Sequence, residues 1–273
     1  MIWKNEKAGY NAIMKKSDFN LEKKLLKKGY NFVVGVDEAG RGPLAGPVVA
    51  AAAVLKSFPK VQPSEKVEPS FDVSWDLVRD SKKLSEKQRE SSFDFIQENF
   101  YVGVGICDHK TVDRINILEA TFLAMKKAVA NLVRNIEHET WNIKQKNTCH
   151  SRLGRESSHK SKFISLDSRF RGNDKSIIIL VDGNKKIPNL SMEQKAVIRG
   201  DRIVKSISAA SIIAKVTRDR IMLDMHKKYP QYQFDKHKGY GTKLHFATLQ
   251  KNGPCEIHRK SFAPVRKLVK GDF

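Results

Sequence analysis

The chain has 273 residues, 40% of them hydrophobic, and its 51 Lys and Arg against 30 Asp and Glu give a formal net charge of +21. This length and composition indicate a globular protein with a substantial core and exclude a disordered chain. The excess positive charge favours a polyanionic partner, nucleic acid above all, over an anionic membrane surface, because no basic amphipathic helix with bulky apolar residues stands out.

No segment of the sequence predicts membrane insertion or secretion. The longest apolar run, Val48 to Leu55, is far too short to span a bilayer, and residues 1–16 carry charge but no apolar signal core. The cysteines form no CxxC pair, so the sequence indicates neither a disulfide framework nor a zinc site. We therefore expect a cytoplasmic protein.

The hydrophobic pattern predicts a series of helices and strands. A basic helix ends at Gly29, another begins after the N-cap residue Ser85, and the two longest helices cover Ile115 to Val133 and residues 207–229. The tail from Tyr232 is basic and rich in turns. Residues 56–78 are predicted to form a loop, and strands are predicted at residues 31–37, 47–55, 101–107, 176–181 and 195–201.

One segment, residues 137–175, interrupts this pattern. It is polar, shows little periodicity, and separates a helix from a strand that a few residues would normally join. Its sequence SLDSRFRGNDK resembles peptides encoded by mobile palindromic repeats inserted into bacterial genes. We interpret the segment as an insertion that extrudes from the fold.

Four acidic residues follow apolar segments: Asp37 and Glu38 end the first predicted strand, Asp182 ends the fourth, and Asp201 ends the fifth. Each alone could be a turn former or a helix N-cap. In an open α/β sheet, however, the carboxyl ends of neighbouring strands meet at the edge where active sites are built. Carboxylates gathered there need a cation at neutral pH, and oxygen ligands suit Mg²⁺ or Mn²⁺. With a phosphodiester partner suggested by the charge, this pattern favours hydrolysis assisted by two metal ions.

The adjacency of Asp37 and Glu38 is a geometric problem, because successive side chains of a strand point to opposite faces. The two residues can share a metal ion only if the strand ends there or if one of them contributes its backbone carbonyl. We favour a backbone carbonyl ligand for Glu38.

Eight motifs resemble, in this order, the bacterial type 2 ribonucleases H, the ribonuclease HII family. They are GVDEAGRGPLAGPVV, DSKKLS, INILEATFLAMKKAV, VDGN, IRGD, SISAASIIAKVTRD, HKGYGT and HRKSFAPV. The resemblance runs from residue 33 to residue 265, interrupted by 137–175, and its first and sixth motifs are long and specific. The related type with an added N-terminal substrate-binding domain fits less well, because only about thirty residues precede the first strand and the turn reads GRG.

The resemblance implies a ribonuclease H-like α/β fold, with a mixed central sheet flanked by helices and a small helical C-terminal portion lining a basic groove. On this basis we divide the chain into three parts. They are a basic helical extension (1–31), a catalytic domain (32–225) that carries the insertion, and a basic helical substrate-binding portion (226–273).

The activity implied is that of an endoribonuclease. Such an enzyme hydrolyses the RNA strand of RNA–DNA hybrids and nicks duplex DNA 5′ to a single ribonucleotide, leaving 3′-hydroxyl and 5′-phosphate ends, as ribonucleotide removal in replication and repair requires. The family's metal-binding acids, which would hold two Mn²⁺ or Mg²⁺ ions, fall on Asp37, Glu38, Asp182 and Asp201. The expected protein is a monomer whose partners are hybrids and ribonucleotide-containing DNA.

The resemblance also implies residues that read the substrate. The turn of Gly40, Arg41 and Gly42 would let backbone groups reach the 2′-hydroxyl that distinguishes RNA from DNA, while Arg41 holds a neighbouring phosphate. A bend needed only to join two strands is the alternative. Tyr240 matches the tyrosine that packs against the deoxyribose after the ribonucleotide, although a lone tyrosine is more often a core or surface aromatic.

Further candidates for phosphate contacts are Lys82, Lys83, Ser208, Ser211 and Lys215. A pair of lysines is usually only a solvated face. Ser208, Ser211 and Lys215 open a predicted helix whose N-terminus suits a phosphate, but helix packing explains its small residues equally well. None of the eight histidines has a metal-binding spacing such as HExxH, and none is assigned to catalysis.

Two other classes of protein would explain part of these features. A non-catalytic nucleic-acid-binding protein, in which the insertion has left a decayed enzyme, would keep the charge, but all four acids and the GRG turn are intact. A structural component of a ribonucleoprotein would account for the charge but not for the carboxylates.

Overall fold

The computed structural model describes residues 17–57, 75–148 and 177–270, and among these the side chains of all residues except 139–148 and 270. Five strands are present in this part of the chain: β1 (Phe32–Ala39), β2 (Val48–Leu55), β3 (Phe100–Cys107), β4 (Ile177–Asp182) and β5 (Glu193–Val197). They form one mixed sheet in the order β3–β2–β1–β4–β5. The β1–β2 and β2–β3 pairs are antiparallel, and the β1–β4 and β4–β5 pairs are parallel. The predicted fold class is confirmed.

Helices flank the sheet. They are α1 (Asn20–Leu26), α2 (Glu86–Asn99), α3 (His109–Thr148), α4 (Lys205–Lys228), α5 (Phe234–His237), α6 (Lys243–Asn252) and α7 (Ala263–Lys270). The predicted cap of α2 is confirmed, because the Ser85 hydroxyl accepts a hydrogen bond from Gln88 N and the Gln88 side chain accepts one from Ser85 N. None of the described helices is long and apolar enough to cross a membrane.

The run of alanines in β2 lets helices approach both faces of the sheet. Ala50 and Ala52 belong to the apolar cluster that includes α3, whereas Ala51 and Ala53 belong to the cluster that includes α4. This alternation follows from the two-residue period of a strand. The sheet is thereby covered by α3 on one face and by α4, with α2, on the other.

β1 extends further than its sequence predicts. The strand was predicted to end at Asp37, but Asp37, Glu38 and Ala39 all pair with β2. On its other edge, β1 pairs with β4 only as far as Val36. The acids therefore lie on a strand that continues along one neighbour after the other neighbour has ended, which opens the sheet beside them.

Asp201 does not end a strand, as the sequence predicted. β5 stops at Val197, Arg199 adopts a left-handed conformation (φ 56°), and Asp201 lies in a 3-10 turn, Gly200–Arg202, that leads into α4. The apolar run Ala196 to Ile198 predicts a longer strand, but Ile198 is exposed. The turn still carries Asp201 back toward the sheet edge.

Helix α3 runs on into the segment interpreted as an insertion. Predicted to end at Val133, it continues to Thr148, so residues 137–148 of the segment are helical and not a structureless connection. Residues 149–175 lie outside the described residues. Near its start, α3 is interrupted at Asn116 (φ 66°), whose side chain accepts hydrogen bonds from Leu118 N and Glu119 N and so caps the longer, second part.

Deleting residues 137–175 and joining the ends with a short flexible linker is expected to leave the fold intact. Ile136 is the last residue of α3 that packs against a described hydrophobic cluster, and a long surface insertion costs little to close. The melting temperature should change by only a few degrees, in line with a change in the free energy of unfolding of about 1 kcal/mol or less. Loss of the cooperative transition would show that the segment belongs to the domain.

The C-terminal helices surround a buried cluster of histidines. His245 Nε2 and His258 Nε2 lie 3.1 Å apart, so one donates a hydrogen bond to the other. The rings of His237 and His245 stack with centroids 4.3 Å apart. Burial lowers the pKa of both His245 and His258 to about 4, and the neighbouring histidines add to the effect.

These histidines are expected to make the protein sensitive to acid. Their folded pKa of about 4 lies below the ordinary value of 6.5, so the unfolded chain binds more protons between these values. Each of the two histidines should therefore lower the free energy of unfolding by roughly 2 kcal/mol as the pH is lowered from 7 to 5. Urea unfolding at both pH values measures the fall. His258→Gln should reduce it and His138→Gln, at an exposed site, should not; equal pH dependence in the two variants would contradict this.

Candidate active site

Three of the four acids come together where β4 ends. Val36 of β1 pairs with Val181 of β4, so the next residues along the two parallel strands, Asp37 and Asp182, come level at the same edge. Gly200 N donates a hydrogen bond of 2.6 Å to Asp182 Oδ1, which ties the turn that carries Asp201 to the end of β4. Asp37 and Asp201 are only 5% and 3% exposed. The sequence prediction that these acids converge is therefore consistent with the backbone geometry.

Burial and mutual repulsion both act on these carboxylates. Burial raises the pKa of Asp37 well above its usual range, and the charges of Glu38 and Asp182 raise it further. Burial likewise raises the pKa of Asp182, with Asp201 as the next cause. A group of carboxylates that destabilise one another's charged forms is the electrostatic environment that a divalent cation relieves.

Glu38 follows Asp37 on β1 and lies on the α3 side, but it remains close enough to Asp37 and Asp182 for the charge of each to affect the pKa values of the group. Its carboxylate pairs with the Arg41 side chain at 3.2 Å, and it lines a cleft of ≈ 80 Å³ beneath α3 together with Asp182 and Lys185. Burial raises the pKa of Glu38, although the Arg41 charge opposes this. The strand continues through both acids, so the backbone carbonyl role that we favour for Glu38 stays a prediction.

The acids are not arranged as a finished metal site. In the part of the chain that the structure describes, no three His, Cys, Asp or Glu side chains are placed to hold an ion as they stand. Two cations hold carboxylates instead: Arg41 holds Glu38, and Lys82 Nζ lies 3.3 Å from Asp201 Oδ2. Both lysine and arginine side chains are more than half exposed, at 76% and 52%, and can swing aside. The donor set, four carboxylates at one sheet edge, fits hard divalent cations.

The two candidate lysines differ in position. Partial burial lowers the pKa of Lys82, but the charges of Asp201 and Asp37 outweigh this and raise it. Lys82, a predicted phosphate contact, therefore lies directly beside the acids. Lys82 is the middle residue of the short 3-10 turn Ser81–Lys83, which the Asp80 side chain caps. Lys83 is exposed at the end of that turn, and its contact with a phosphate stays a prediction.

The structure corrects the role predicted for Ser208. α4 begins at Lys205, so the three candidates lie inside the helix and not at its open N-terminus. Ser208 is fully buried, and its hydroxyl donates to the Asp201 and Val204 carbonyls, so it supports the Asp201 turn and cannot meet a phosphate. Ser211 is 5% exposed, its hydroxyl lies 2.9 Å from that of Ser81, and it lowers the pKa of Asp37, which makes it a support for an acid.

Lys215 and Tyr240 lie close to each other. Lys215 Nζ is 5.5 Å from the centre of the Tyr240 ring and donates a 2.6 Å hydrogen bond to Asp219. Burial lowers the pKa of Lys215. Tyr240 is 39% exposed, and a Cβ placed on Gly42 would lie 4.0 Å from its ring. The structure therefore places the tyrosine directly against the GRG turn.

Sequence reasoning missed two buried arginines beneath this site. Arg218 and Arg259 are both 0% exposed and contact the loop that follows β1. The only signal was their membership of two motifs, SISAASIIAKVTRD and HRKSFAPV, to which no role was assigned. Arginine is rarely buried, so composition and periodicity gave no reason to select them.

Solved structures share this fold. A ribonuclease H2 from Pyrococcus horikoshii OT3 is 25% identical, with a TM-score of 0.53, and the alignment covers 88% of this chain and 98% of that one. A ribonuclease HIII, Bst-RNase HIII, solved in complex with Mn²⁺, is 16% identical with a TM-score of 0.53, over 89% of this chain and 70% of that one. Together with the mixed sheet and its flanking helices, these likenesses define a protein of the ribonuclease H-like class.

The chain belongs to the ribonuclease HII family, whose sequence model, described as Ribonuclease HII, matches residues 34–265. Curated relatives of the same description include proteins from Caldicellulosiruptor bescii, 45% identical over 89% of this chain and 92% of the relative, and from Fusobacterium nucleatum, 42% identical over 88% of each. The protein is thus a ribonuclease H, a hydrolase that acts on nucleic acid.

Proposed function

We propose that the protein, acting as a monomer, hydrolyses the RNA strand of RNA–DNA hybrids and nicks duplex DNA 5′ to a single embedded ribonucleotide. The observation that carries this proposal is the contact between two different kinds of group. Buried, mutually repelling acids of β1 and β4 lie together where β4 ends. The exposed turn of Arg41 and Gly42 comes directly after β1, the strand that carries two of these acids. The acids that would catalyse hydrolysis and the turn that could bind a ribose are therefore adjacent in the chain and in space.

The four acids Asp37, Glu38, Asp182 and Asp201 would hold two divalent ions, Mn²⁺ or Mg²⁺. Bound there, the ions would supply an activated water and stabilise the leaving oxygen. The protein's part is to present the carboxylates: β1 and β4 fix Asp37 and Asp182, the Ser211 side chain favours the charged form of Asp37, and Gly200 N orients Asp182.

Two cations are placed to exchange a carboxylate partner for a phosphate. Arg41 and Lys82 pair with acids of the site through exposed side chains. With metal ions bound to the acids, both cations would be released from these partners and would be available to a phosphate. Charge-assisted hydrogen bonds to phosphate would then hold the substrate strand in place.

Recognition of the ribonucleotide is assigned to the backbone of Gly40, Arg41 and Gly42 and to Tyr240. Gly40 has φ +97°, and a Cβ there would lie 2.3 Å from the Arg218 side chain, so the turn needs glycine at its first position. Exposed amides in the turn can donate to a 2′-hydroxyl. The position of the Tyr240 ring beside Gly42 supports the assignment that it packs on the next sugar.

Tyr240→Ala is expected to lower the single-turnover rate on a one-ribonucleotide duplex by about ten- to a hundredfold, while affinity changes little. A lost stacking contact is worth ~1–3 kcal/mol, and misplacement of the phosphate expresses that loss in the rate. Affinity comes mainly from Lys and Arg contacts that the change leaves alone. The rate is measured at saturating enzyme, and binding is titrated in Ca²⁺ to prevent cutting. Weaker binding with an unchanged rate would identify Tyr240 as a general anchor.

The test of the proposed function compares three labelled duplexes: an RNA–DNA hybrid, a DNA duplex with one ribonucleotide, and the same duplex entirely of DNA. Each is incubated with Mn²⁺, with Mg²⁺ and with EDTA. We expect cleavage of the first two only, and only with metal. Binding without cleavage under every condition would instead support a non-catalytic nucleic-acid-binding protein, which the net charge of +21 would also suit.

A further inference from the structure

Arg259 lies beneath the turn that follows β1 and holds it by its carbonyl groups. Its guanidinium group donates four hydrogen bonds, and all of them end on backbone oxygens of loop 40–47. The acceptors are the carbonyls of Gly40 (2.6 Å), Arg41 (3.1 Å), Pro43 (2.8 Å) and Gly46 (3.0 Å). One fully buried side chain therefore fixes the orientation of four peptide groups in the GRG turn and the residues after it.

Arg218 extends this arrangement to Tyr240. It donates to the carbonyls of Ala45 (3.1 Å) and Pro47 (3.0 Å) in the loop and to that of Lys238 (2.9 Å), two residues before the tyrosine. Its guanidinium carbon lies 5.6 Å from the centre of the Tyr240 ring. The loop and the tyrosine are thus held on one buried support.

The direction of the carbonyls determines the direction of the amides. In a trans peptide group the C=O and the N–H point in opposite directions, and the described residues contain no cis peptide bond. Since the carbonyls of Gly40 and Arg41 point inward to Arg259, the N–H groups of Arg41 and Gly42 point outward. Both residues are exposed, and neither amide has a hydrogen-bond acceptor among the described residues.

Other amides of the same loop are already used. Leu44 N donates to Gly239 O at 2.8 Å, and Gly46 N donates to Ile257 O at 2.9 Å. Of the loop amides without an acceptor among the described residues, the exposed ones are those of Arg41 and Gly42, at the GRG turn, where the loop meets the acids. A loop serving merely as a connection would have no need for this pattern.

We propose that Arg259 is the positioning residue for recognition of the 2′-hydroxyl: by holding the Gly40 and Arg41 carbonyls inward, it aims the Arg41 and Gly42 amides at that group, while Arg218 places Tyr240 against the same turn. The proposal rests on the proposed function and adds to it the residue that imposes specificity from beneath the loop.

Simple packing does not explain these side chains. Burying a guanidinium group is costly unless its donors are satisfied, and an apolar residue would fill the space at less cost. Every hydrogen bond that the described residues give these two groups ends on a carbonyl, so their burial is matched to the loop's backbone. Burial, with Arg218 as the second cause, lowers the pKa of Arg259 to about 9, which leaves it charged at neutral pH.

The first test measures discrimination and not activity alone. Wild type, Arg259→Lys and the control Arg220→Lys, at a surface arginine paired with Glu90, are titrated in Ca²⁺ with a one-ribonucleotide duplex and its all-DNA counterpart. Arg259→Lys keeps the charge but cannot hold four carbonyls. We expect it to lower the ratio of the two affinities by about tenfold, the worth of one ordinary hydrogen bond, and Arg220→Lys to leave the ratio unchanged.

An equal loss of affinity for both duplexes in Arg259→Lys would show a structural role only and overturn the proposal. A wild type that does not distinguish the duplexes would instead overturn the recognition step of the proposed function, so the two failures differ.

A second measurement needs no variant and so stands even if Arg259→Lys fails to fold. Hydrogen exchange of wild-type amides is followed by NMR with no duplex and with each duplex in Ca²⁺. The Arg41 and Gly42 amides should exchange rapidly in the free enzyme and slow by about tenfold or more with the ribonucleotide duplex only, while Gly46 stays protected throughout. Protection of Arg41 and Gly42 in the free enzyme would overturn the proposal, whereas equal protection by the two duplexes would overturn the recognition step of the proposed function.

Discussion

Replacing Asp37 or Asp182 with asparagine is expected to lower the cleavage of a one-ribonucleotide duplex by about a thousandfold or more, the several kcal/mol of transition-state stabilisation that a metal ligand supplies. Asparagine keeps the size of the side chain and, at position 182, an oxygen that can still accept the hydrogen bond from Gly200 N. Substrate affinity should change little, because phosphate contacts dominate it. Asp224→Asn, at an exposed acid of α4 paired with Lys227, is the matched control and should cleave normally.

The same substitution should not destabilise the fold. Because the folded pKa of Asp37 lies above its ordinary value of 3.8, the folded state binds more protons in that interval, and stability falls as the pH rises through it. At neutral pH in EDTA, Asp37→Asn should therefore melt no lower than wild type. Near-normal turnover in either variant, or lost turnover together with unfolding, would contradict the role assigned to these acids.

Gly35→Ala is expected to lower the free energy of unfolding by about 3 kcal/mol, at the upper end of the range for overpacking. A Cβ on Gly35 would lie 2.2 Å from Ile207 N and Ser206 C, which are backbone atoms of α4 and cannot move aside as a side chain can. Relieving the clash would push the start of α4 away from β1, and the Asp201 turn leads directly into that helix. The variant should therefore also cut more slowly.

Urea unfolding measures the change, and Gly42→Ala is the control for stability. A Cβ at Gly42 meets nothing closer than the Tyr240 ring at 4.0 Å, so its free energy of unfolding should stay within about 0.5 kcal/mol of wild type. If Gly35→Ala were as stable as Gly42→Ala, the close approach of α4 to β1 would be wrong.

Much of the fold and part of the site could be predicted because their signals are local in the chain. The apolar strands, the Ser85 cap and the acids that follow the apolar runs of β1 and β4 can all be recognised in short stretches of sequence. The exact ends of elements are not. β1 passes through Asp37 and Glu38 because β2 continues to pair with them, and pairing with a distant strand leaves no trace beside the acids.

The supporting residues could not be predicted, since their partners are far away in the sequence. Arg259 and Gly40 are 219 positions apart, and a buried arginine looks the same in sequence as an exposed one. Ser208 illustrates the opposite error: a serine near a helix start suggests a phosphate contact, but complete burial directs its hydroxyl to the Asp201 carbonyl. For both Arg259 and Ser208, the role depends on backbone carbonyls that accept their hydrogen bonds and that come close only in the folded chain.

The central claim, that acids at the end of β4 direct hydrolysis at a ribonucleotide which the GRG turn recognises, is tested most directly by the position and chemistry of the cut. A duplex with one ribonucleotide, labelled at either end, is cleaved by wild type with Mn²⁺, and both products are identified by mass spectrometry. The account predicts a single nick 5′ to the ribonucleotide, with a 3′-hydroxyl on one product and a 5′-phosphate on the other. A nick 3′ to the ribonucleotide that leaves a 2′,3′-cyclic phosphate would mean that the 2′-hydroxyl attacks as the nucleophile, and would contradict it.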